Sequence, residues 1–140
     1  LGKELRALLL APHVSGEVWC PEAEMLLFDA DRAQHLATLI RPALEAGKIV
    51  VVDRFEDSTR AYQGASGVSE GAMQRLREVV LGAFRPHLTL VLDMSPEASL
   101  KRVAARNAAL GQAFRETRFD GETLAFHRRV RERFQDLARQ

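Results

Sequence analysis

The chain is poor in cysteine and in long apolar runs. Cys20 is the single cysteine among 140 residues, so no disulfide can form within the chain, and this usage is typical of the reducing cytoplasm. No apolar run reaches the roughly 18 residues that a membrane-spanning helix needs, and no secretory signal opens the sequence. We therefore expect a cytoplasmic protein with no membrane partner.

A surplus of one charge is also lacking. Twenty Lys and Arg residues balance nineteen Asp and Glu residues to a formal net charge of +1. Binding to nucleic acid depends on basic side chains that neutralise many phosphates, so we expect no nucleic-acid partner. His13, His35 and His87 stand at none of the spacings that bind a metal ion directly, and His127 is expected to pack or cap locally.

Two apolar segments are present and predict strands. The β-branched run Ile49–Val52 is typical of a strand that is buried on both faces of a parallel sheet, and Leu88–Leu92 predicts a second strand. Helical patterns lie between and around them. This alternation predicts one α/β domain over residues 1–140, with a parallel sheet covered by helices.

Residues that start and stop helices divide the rest of the chain. Ser69, Ser95 and Asp120 are predicted helix caps. Pro42 should break or kink the helix that begins at Pro21, and Gly47 should close it. The remaining predictions are a helix over residues 3–10, helix ends near residues 83 and 107, and loops over residues 62–71 and 108–118.

Asp53 and Arg54 follow the first predicted strand directly. Open α/β sheets bind ligands at the carboxyl ends of their strands. A guanidinium is a rigid fork of donors that matches a phosphate, and a carboxylate is a base or a partner of hydrated Mg²⁺. From this pair alone, a phosphate site and a surface ion pair at a strand end are equally good interpretations.

The residues around this pair resemble a known family. The order Asp53-Arg54-Phe55, Asp57-Ser58 and Ala61-Tyr62-Gln63-Gly64 resembles the signature of bacterial thymidylate kinases. Residues 26–35 resemble the helix of that family's thymine site, and residues 90–97 resemble its next strand and helix start. Phe119, Glu122 and residues 126–130 resemble the helix after its lid, so the resemblance covers nearly the whole chain.

The resemblance implies a fold and an activity. The fold is a P-loop kinase-like, three-layer α/β/α domain with a parallel sheet, of which this chain holds only part, and with a lid near residues 107–119. The activity is ATP-dependent phosphorylation of dTMP to dTDP, with Mg²⁺ as the cofactor. The implied partners are the small molecules dTMP and ATP and a second copy of the chain in a homodimer.

The resemblance also implies roles for individual residues. Phe28 stacks on the thymine ring and Arg32 hydrogen-bonds its carbonyl edge. Without the resemblance, a core Phe28 and an Arg32 that reaches solvent are favoured. Arg54 clamps the 5′-phosphate of dTMP, and Asp53 orients that phosphate and reaches Mg²⁺ through water.

Ser58, Tyr62 and Gln63 line the rest of the implied dTMP site. Tyr62 matches the family's aromatic residue beside the sugar, where its bulk disfavours a 2′-hydroxyl. Gln63 is placed to touch the base or the phosphate. The alternative interpretations are a surface ring that anchors a loop for Tyr62 and a solvated side chain for Gln63.

Arg115 and Arg118 are the catalytic arginines that the resemblance implies for the lid. An arginine that arrives on a mobile loop can neutralise the charge of a transferring phosphoryl group. The family usually has Asp-Arg-Phe-Glu where this chain has Thr117-Arg118-Phe119-Asp120. Solvated arginines are an alternative of nearly equal weight.

One pattern of such kinases is missing from the 140 residues. The sequence G-x-x-x-x-G-K-[ST], whose backbone N–H groups and lysine hold the phosphates of ATP, does not occur. The resemblance then implies a chain cut at both ends, without the strand of that loop and without the family's last strand. We expect these residues alone not to phosphorylate dTMP. The alternative functions are a nucleoside-monophosphate-binding module and a remnant without kinase activity.

Overall fold

A computed structural model describes residues 2–10, 18–110, 119 and 121–140 of the chain. In chain order its α-helices are α1 (Gly2–Leu10), α2 (Pro21–His35), α3 (Arg41–Glu45), α4 (Glu56–Ala65), α5 (Glu70–Leu81), α6 (Pro96–Leu110) and α7 (Leu124–Leu137). A π-helical turn, Leu36–Ile40, joins α2 to α3. In this part of the chain, no helix combines the length and the apolar character needed to cross a bilayer.

The long helix from Pro21 changes its winding before Pro42 and ends at Gly47, as predicted. Proline lacks an N–H group and crowds the carbonyl of the preceding turn, and the wider π turn ends two residues before Pro42. Gly47 has a φ angle of 73°. Its N–H donates to Leu44 at 2.9 Å and the N–H of Lys48 donates to Ala43 at 3.0 Å, which is the Schellman pattern that favours glycine.

Side-chain caps open three helices. Ser69 accepts a hydrogen bond from the N–H of Ala72 at the start of α5, and Ser95 accepts one from Ala98 at the start of α6, so both predicted caps are confirmed. The cap of α7 is Thr123, whose hydroxyl accepts from the N–H of Phe126. The predicted cap Asp120 lies outside the described residues.

The predicted loop over residues 62–71 is wrong, because α4 extends to Ala65. Three side chains of α4 are buried, namely those of Thr59, Ala61 and Gln63, and the helix packs along α7. Burial of one face stabilises a short helix more than its intrinsic propensity does. Residues 66–69 alone form the turn before α5.

The two predicted strands, Ile49–Val52 and Leu88–Leu92, have no regular secondary structure, and no described residue lies in a hydrogen-bonded strand. Burial on both faces is also wrong: Ile49 and Val51 are 94% and 92% exposed, whereas Val50 and Val52 pack against the core. Leu90 and Leu92 are 78% and 94% exposed. A strand is stabilised by the backbone groups of a neighbouring strand, and neither segment has such a neighbour among the described residues. The predicted parallel sheet is therefore not formed in this part of the structure.

Three buried clusters hold the helices together. One joins α2 to α5 through Met25, Val68 and Met73. A second surrounds Leu36, Ile40 and Leu81, and the rings of Phe55 and Phe84 pack against it. The third joins α4 to α7 and contains Ala61, Phe126 and Val130, with Tyr62, Phe119, Phe134 and Leu137 packed around them. α4 contacts α2, α5 and α7, so its position depends on all three helices.

A candidate nucleotide-phosphate site at the start of α4

The turn before α4 holds Arg54 in a left-handed backbone conformation. Its φ angle is 63°, and it is the only residue other than glycine with a positive φ in the described part of the chain. Such a conformation is unfavourable for a bulky residue by roughly 1–2 kcal/mol. The side chain of Arg54 is exposed, as is that of the neighbouring Asp53. Conformations of this kind concentrate at ligand-binding sites.

Tyr62 holds the guanidinium of Arg54. Nη2 of Arg54 donates a hydrogen bond of 2.7 Å to the hydroxyl of Tyr62, and the centre of the guanidinium lies 4.9 Å from the centroid of the ring. The two residues are eight positions apart, and the first two turns of α4 bring them together. The structure therefore joins two of the predicted site residues directly.

Arg32 reaches the same end of α4 from α2. It forms an ion pair with Asp29, and its Nη2 donates to the hydroxyl of Thr59 at 2.7 Å and to the carbonyl of Phe55 at 3.4 Å. Its side chain is 11% exposed, so the interpretation in which Arg32 reaches solvent is wrong. Phe28 is half-buried and precedes Arg32 by one turn on the same side of α2.

Burial lowers the pKa of Arg32 to about 10, and the nearby carboxylates Glu56 and Asp57 oppose this change. Desolvation disfavours the charged form of a base. Because the pKa of about 10 is still well above neutrality, Arg32 remains a cation at physiological pH. It can therefore donate charge-assisted hydrogen bonds to a carbonyl group in a partly dry environment.

Gln63 is buried inside the helix contact and is 2% exposed. Its Nε2 donates a hydrogen bond of 3.0 Å to Oε2 of Glu24, which is fully buried on α2. The interpretation of Gln63 as a solvated side chain is wrong. Ser58 is half-buried in the first turn of α4, and its role at a ligand, like that of Gln63, remains a prediction.

Two cavities border these helices. One of about 150 Å³ lies between α4 and α5 and is lined mainly by charged and polar side chains, among them Glu56, Arg60 and Arg77. The other, of about 310 Å³, is an apolar groove on α2 and α5. None of the residues predicted to bind dTMP lines either cavity. The prediction that Phe28, Arg32, Asp53, Arg54 and Tyr62 line one pocket remains a prediction.

The predicted lid arginines, Arg115 and Arg118, lie outside the described residues. Phe119, at the end of the predicted lid, is described, and its ring lies 4.8 Å from that of Tyr62. Sequence reasoning missed the partners of Arg32. Asp29, three positions before Arg32 on one helix, could have been found from that spacing, but Thr59 is 27 positions away and has no local signal.

The residues present fit a hydrated Mg²⁺ ion. No group of three or more metal-binding side chains forms a cluster within the described ranges. Mg²⁺ bound with a nucleotide usually keeps several waters and uses one or two carboxylates together with substrate phosphates. Asp53, exposed beside Arg54, offers a carboxylate of this kind.

A cationic residue in the turn between an apolar segment and a helix is the arrangement expected at the ligand-binding edge of an open α/β domain. The family model described as "Thymidylate kinase" matches residues 1–140, and the chain belongs to the thymidylate kinase family. The thymidylate kinase of Syntrophotalea carbinolica is 49% identical over 141 residues, covering 100% of this chain and 64% of the relative. That of Desulfosudis oleivorans is 47% identical over 140 residues, covering 99% and 64%.

A solved structure supports the same class of fold. The crystal structure of thymidylate kinase from Ehrlichia chaffeensis superposes with a TM-score of 0.70 at 28% identity, covering 98% of this chain and 57% of that chain. The described helices are thus arranged as in an α/β kinase of the P-loop class. The chain spans 64% of the length of the two curated relatives named above.

Proposed function

We propose that this chain serves the phosphorylation of dTMP to dTDP by ATP in the cytoplasm. Its residues at the junction of α2 and α4 bind dTMP. The single observation that carries the proposal is the conformation of Arg54, which has a left-handed backbone and a guanidinium held by Tyr62. Membership of the thymidylate kinase family supplies the identity of the nucleotide.

Arg54 binds the 5′-phosphate in this proposal. Its exposed guanidinium can donate to two phosphate oxygens at once. The phosphate accepts from Arg54 either in place of the Tyr62 hydroxyl or beside it. Asp53 orients the phosphate and the hydrated Mg²⁺ ion, which neutralises charge on the phosphates when it is bound. Because a phosphate monoester dianion is already a nucleophile, the protein's task is to position it.

The base and the sugar are recognised from the two helices. Phe28 stacks on thymine, and the cationic Arg32 donates to its carbonyl edge. Ser58 and Gln63 complete the lining, while Tyr62 occupies the space that a 2′-hydroxyl would need. Arg115 and Arg118 approach the transferring phosphoryl group from the lid.

A dTMP-binding module without turnover is the second candidate function. The observation that favours it is that the 140 residues contain no G-x-x-x-x-G-K-[ST] pattern to hold ATP. Binding and turnover must therefore be measured separately. A retained dTMP site without phosphoryl transfer would support the second candidate.

The proposed oligomer is a homodimer through the outer faces of α2 and α5. The apolar groove there is lined by Met25, Leu26, Ala72, Arg75, Leu76 and Val79. Leu26 and Val79 are 54% and 82% exposed. Exposed apolar patches that border a groove are typical of protein–protein contacts, and the same face of a second copy is the partner that two-fold symmetry provides.

The test of the site compares dTMP and thymidine, which differ only by the phosphate. Calorimetric titration of the chain should give a lower Kd for dTMP than for thymidine. Arg54→Ala should weaken dTMP binding at least about tenfold and leave thymidine binding unchanged. The matched control is Arg139→Ala, because Arg139 is 71% exposed and pairs only with its helical neighbour Asp136 within the described structure. Equal affinities for the two ligands in the unaltered chain would contradict the proposal.

A further inference from the structure

Tyr62 is surrounded by three phenylalanine rings. The centroid of its ring lies 4.8 Å from that of Phe119, 6.2 Å from that of Phe134 and 6.4 Å from that of Phe126. These distances and the tilted ring planes are those at which aromatic pairs attract each other beyond simple burial. The orientation of Tyr62 is therefore set by its aromatic neighbours as well as by α4.

The three phenylalanines differ in origin. Phe126 and Phe134 belong to α7, where they pack the contact with α4. Phe119 comes before α7, at the end of the predicted lid. Its ring is nearly parallel to that of Phe126, with an interplanar angle of 3° and a centroid distance of 6.0 Å. Phe119 lies closest to Tyr62 of the three rings.

Tyr62 in turn determines where the guanidinium of Arg54 lies. The left-handed backbone of Arg54 fixes the direction in which its side chain leaves the main chain. The hydroxyl and the ring of Tyr62 fix where that side chain ends. A shift of the Tyr62 ring would move the hydroxyl and would release the exposed guanidinium to other rotamers.

We propose that Phe119 is a positioning residue for phosphate recognition. Its ring holds Tyr62 in the orientation in which the hydroxyl pre-organises Arg54 for the 5′-phosphate of a nucleoside monophosphate. This inference rests on the proposed function, because it assigns to Phe119 a part in the same site.

The experiment measures the ratio of Kd for thymidine to Kd for dTMP by calorimetric titration. Phe119→Leu removes the ring and should lower this ratio about tenfold, with the Kd for thymidine changed by less than about twofold. Phe119→Tyr keeps the ring and should restore the ratio of the unaltered protein. The matched control is Leu137→Ala, which removes packing from the same cluster without a ring contact to Tyr62, and should leave the ratio unchanged.

A double-mutant cycle tests the route of the effect. In a Tyr62→Phe background the hydroxyl is absent, so Phe119→Leu should no longer change the ratio. Tyr62 is the only tyrosine of the chain, and its ultraviolet resonance Raman bands should show a weaker hydroxyl hydrogen bond in Phe119→Leu.

Each outcome decides between the two claims. An unchanged ratio in Phe119→Leu, or equal weakening of both ligands, overturns the role of Phe119 and leaves the proposed dTMP site standing. A ratio near one in the unaltered protein overturns the proposed site itself. If Phe119→Leu loses its helical circular dichroism, Phe119→Met, which keeps most of the volume and lacks the ring, is measured against the same criterion.

Discussion

Nε2 of Gln63 donates a hydrogen bond of 3.0 Å to Oε2 of Glu24, and both side chains are almost completely buried. This hydrogen bond joins α4 to α2. Gln63 follows Tyr62 directly in the sequence, and Glu24 lies one helical turn before Phe28. Gln63→Leu should lower the free energy of unfolding by about 2 kcal/mol, because the buried carboxylate of Glu24 loses a donor. Urea denaturation followed by circular dichroism measures the change.

A matched substitution is available on α5. Gln74 donates to Glu78 at 2.8 Å in a helical, exposed pair. Gln74→Leu should change the free energy of unfolding by less than about 0.5 kcal/mol. Similar changes for the two glutamine variants would contradict a structural role for the buried bond.

The second prediction concerns the ion pair between Asp29 and Arg32. Their side chains are 8% and 11% exposed, so Asp29→Asn leaves a buried cation without its carboxylate partner. We expect a loss of about 3 kcal/mol in the free energy of unfolding, together with weaker binding of thymidine as Arg32 moves. Asp136→Asn, which breaks the exposed pair with Arg139, should have almost no effect on either quantity. An Asp29→Asn variant with unchanged stability and unchanged thymidine affinity would contradict the proposed role of Arg32 in binding the base.

The third prediction is a pH dependence that comes from Asp93. Nε and Nη2 of Arg131 donate to its two carboxylate oxygens at 2.7 Å each, and Gln135 donates at 3.0 Å. Chiefly through the bond from Arg131, this arrangement lowers the pKa of Asp93 to about 2. The pKa of Asp93 is lower in the folded chain than in the unfolded chain, where it is near 4. The stabilisation of the fold by the Asp93 carboxylate is therefore complete above about pH 4 and is lost as the pH falls through about 2.

The measurement compares the thermal midpoints of the unaltered chain and Asp93→Asn. The difference should be largest from pH 5 to 7 and should shrink as the pH falls from about 4 toward 2. The hydrogen bond to Asp93 also raises the pKa of Arg131. Arg131 therefore stays charged over the whole acidic range, and the change in stability there comes from Asp93. Because the pair is exposed, added salt should also reduce the difference. A difference that stays constant over the acidic range would show that Asp93 acts by other means.

Local features of the fold were predictable from the sequence. Ser69 and Ser95 each bond to the N–H three residues later, and Gly47 adopts the positive φ angle that its position requires. These interactions involve residues that are close in the chain, so their residue types alone determine them.

Features that depend on distant residues were not predictable in the same way. The glycine-rich stretch after Arg60 was predicted as a loop, yet α4 continues through Gly64 because α7 packs against it. There the guanidinium of Arg133 occupies the space of a side chain, and a Cβ atom on Gly64 would lie 2.4 Å from Cζ of Arg133. The burial of Arg32 likewise depends on Phe55 and Thr59, which no local pattern connects with it.

The apolar run Ile49–Val52 shows most clearly what the sequence alone does not predict. Its composition predicts a strand, and the structure forms no hydrogen-bonded strand there. Pairing into a sheet depends on a neighbouring backbone, and Ile49 and Val51 instead face solvent. The resemblance predicts that Asp53 and Arg54 are site residues, whereas the contact between Arg54 and Tyr62 depends on the folding of α4.

The fourth prediction tests the proposed homodimer. Val79→Asp places a charge in the apolar groove of α2 and α5, where Val79 is 82% exposed. Light scattering at micromolar concentration should show a dimer for the unaltered chain and a monomer for the variant, because an unpaired charge in an interface is strongly unfavourable. Ala98→Asp, on an exposed position of α6, should remain dimeric. A monomer in the unaltered chain, or a dimer in Val79→Asp, would contradict the proposed interface.

The last prediction is that the 140 residues bind dTMP and do not phosphorylate it. Transfer from ATP depends on a cradle of backbone N–H groups and on a lysine that neutralises the phosphates. Lys3, Lys48 and Lys101 are the only lysines in the sequence. Lys3 stands in the first turn of α1, Lys101 lies within α6, and Lys48 follows Gly47. None of the three belongs to a G-x-x-x-x-G-K-[ST] pattern within the 140 residues.

Losing such electrostatic stabilisers raises the barrier by several kcal/mol, or about a hundredfold or more in rate for each group. A coupled assay with dTMP, ATP and Mg²⁺ should therefore show no turnover above background. Calorimetric titration of the same preparation should detect the binding of dTMP. Arg54→Ala serves as the control for binding, because it should weaken the calorimetric binding of dTMP at least about tenfold and leave the assay at the same background. Turnover near one per second would show that the chain holds ATP through residues other than a glycine-rich phosphate loop.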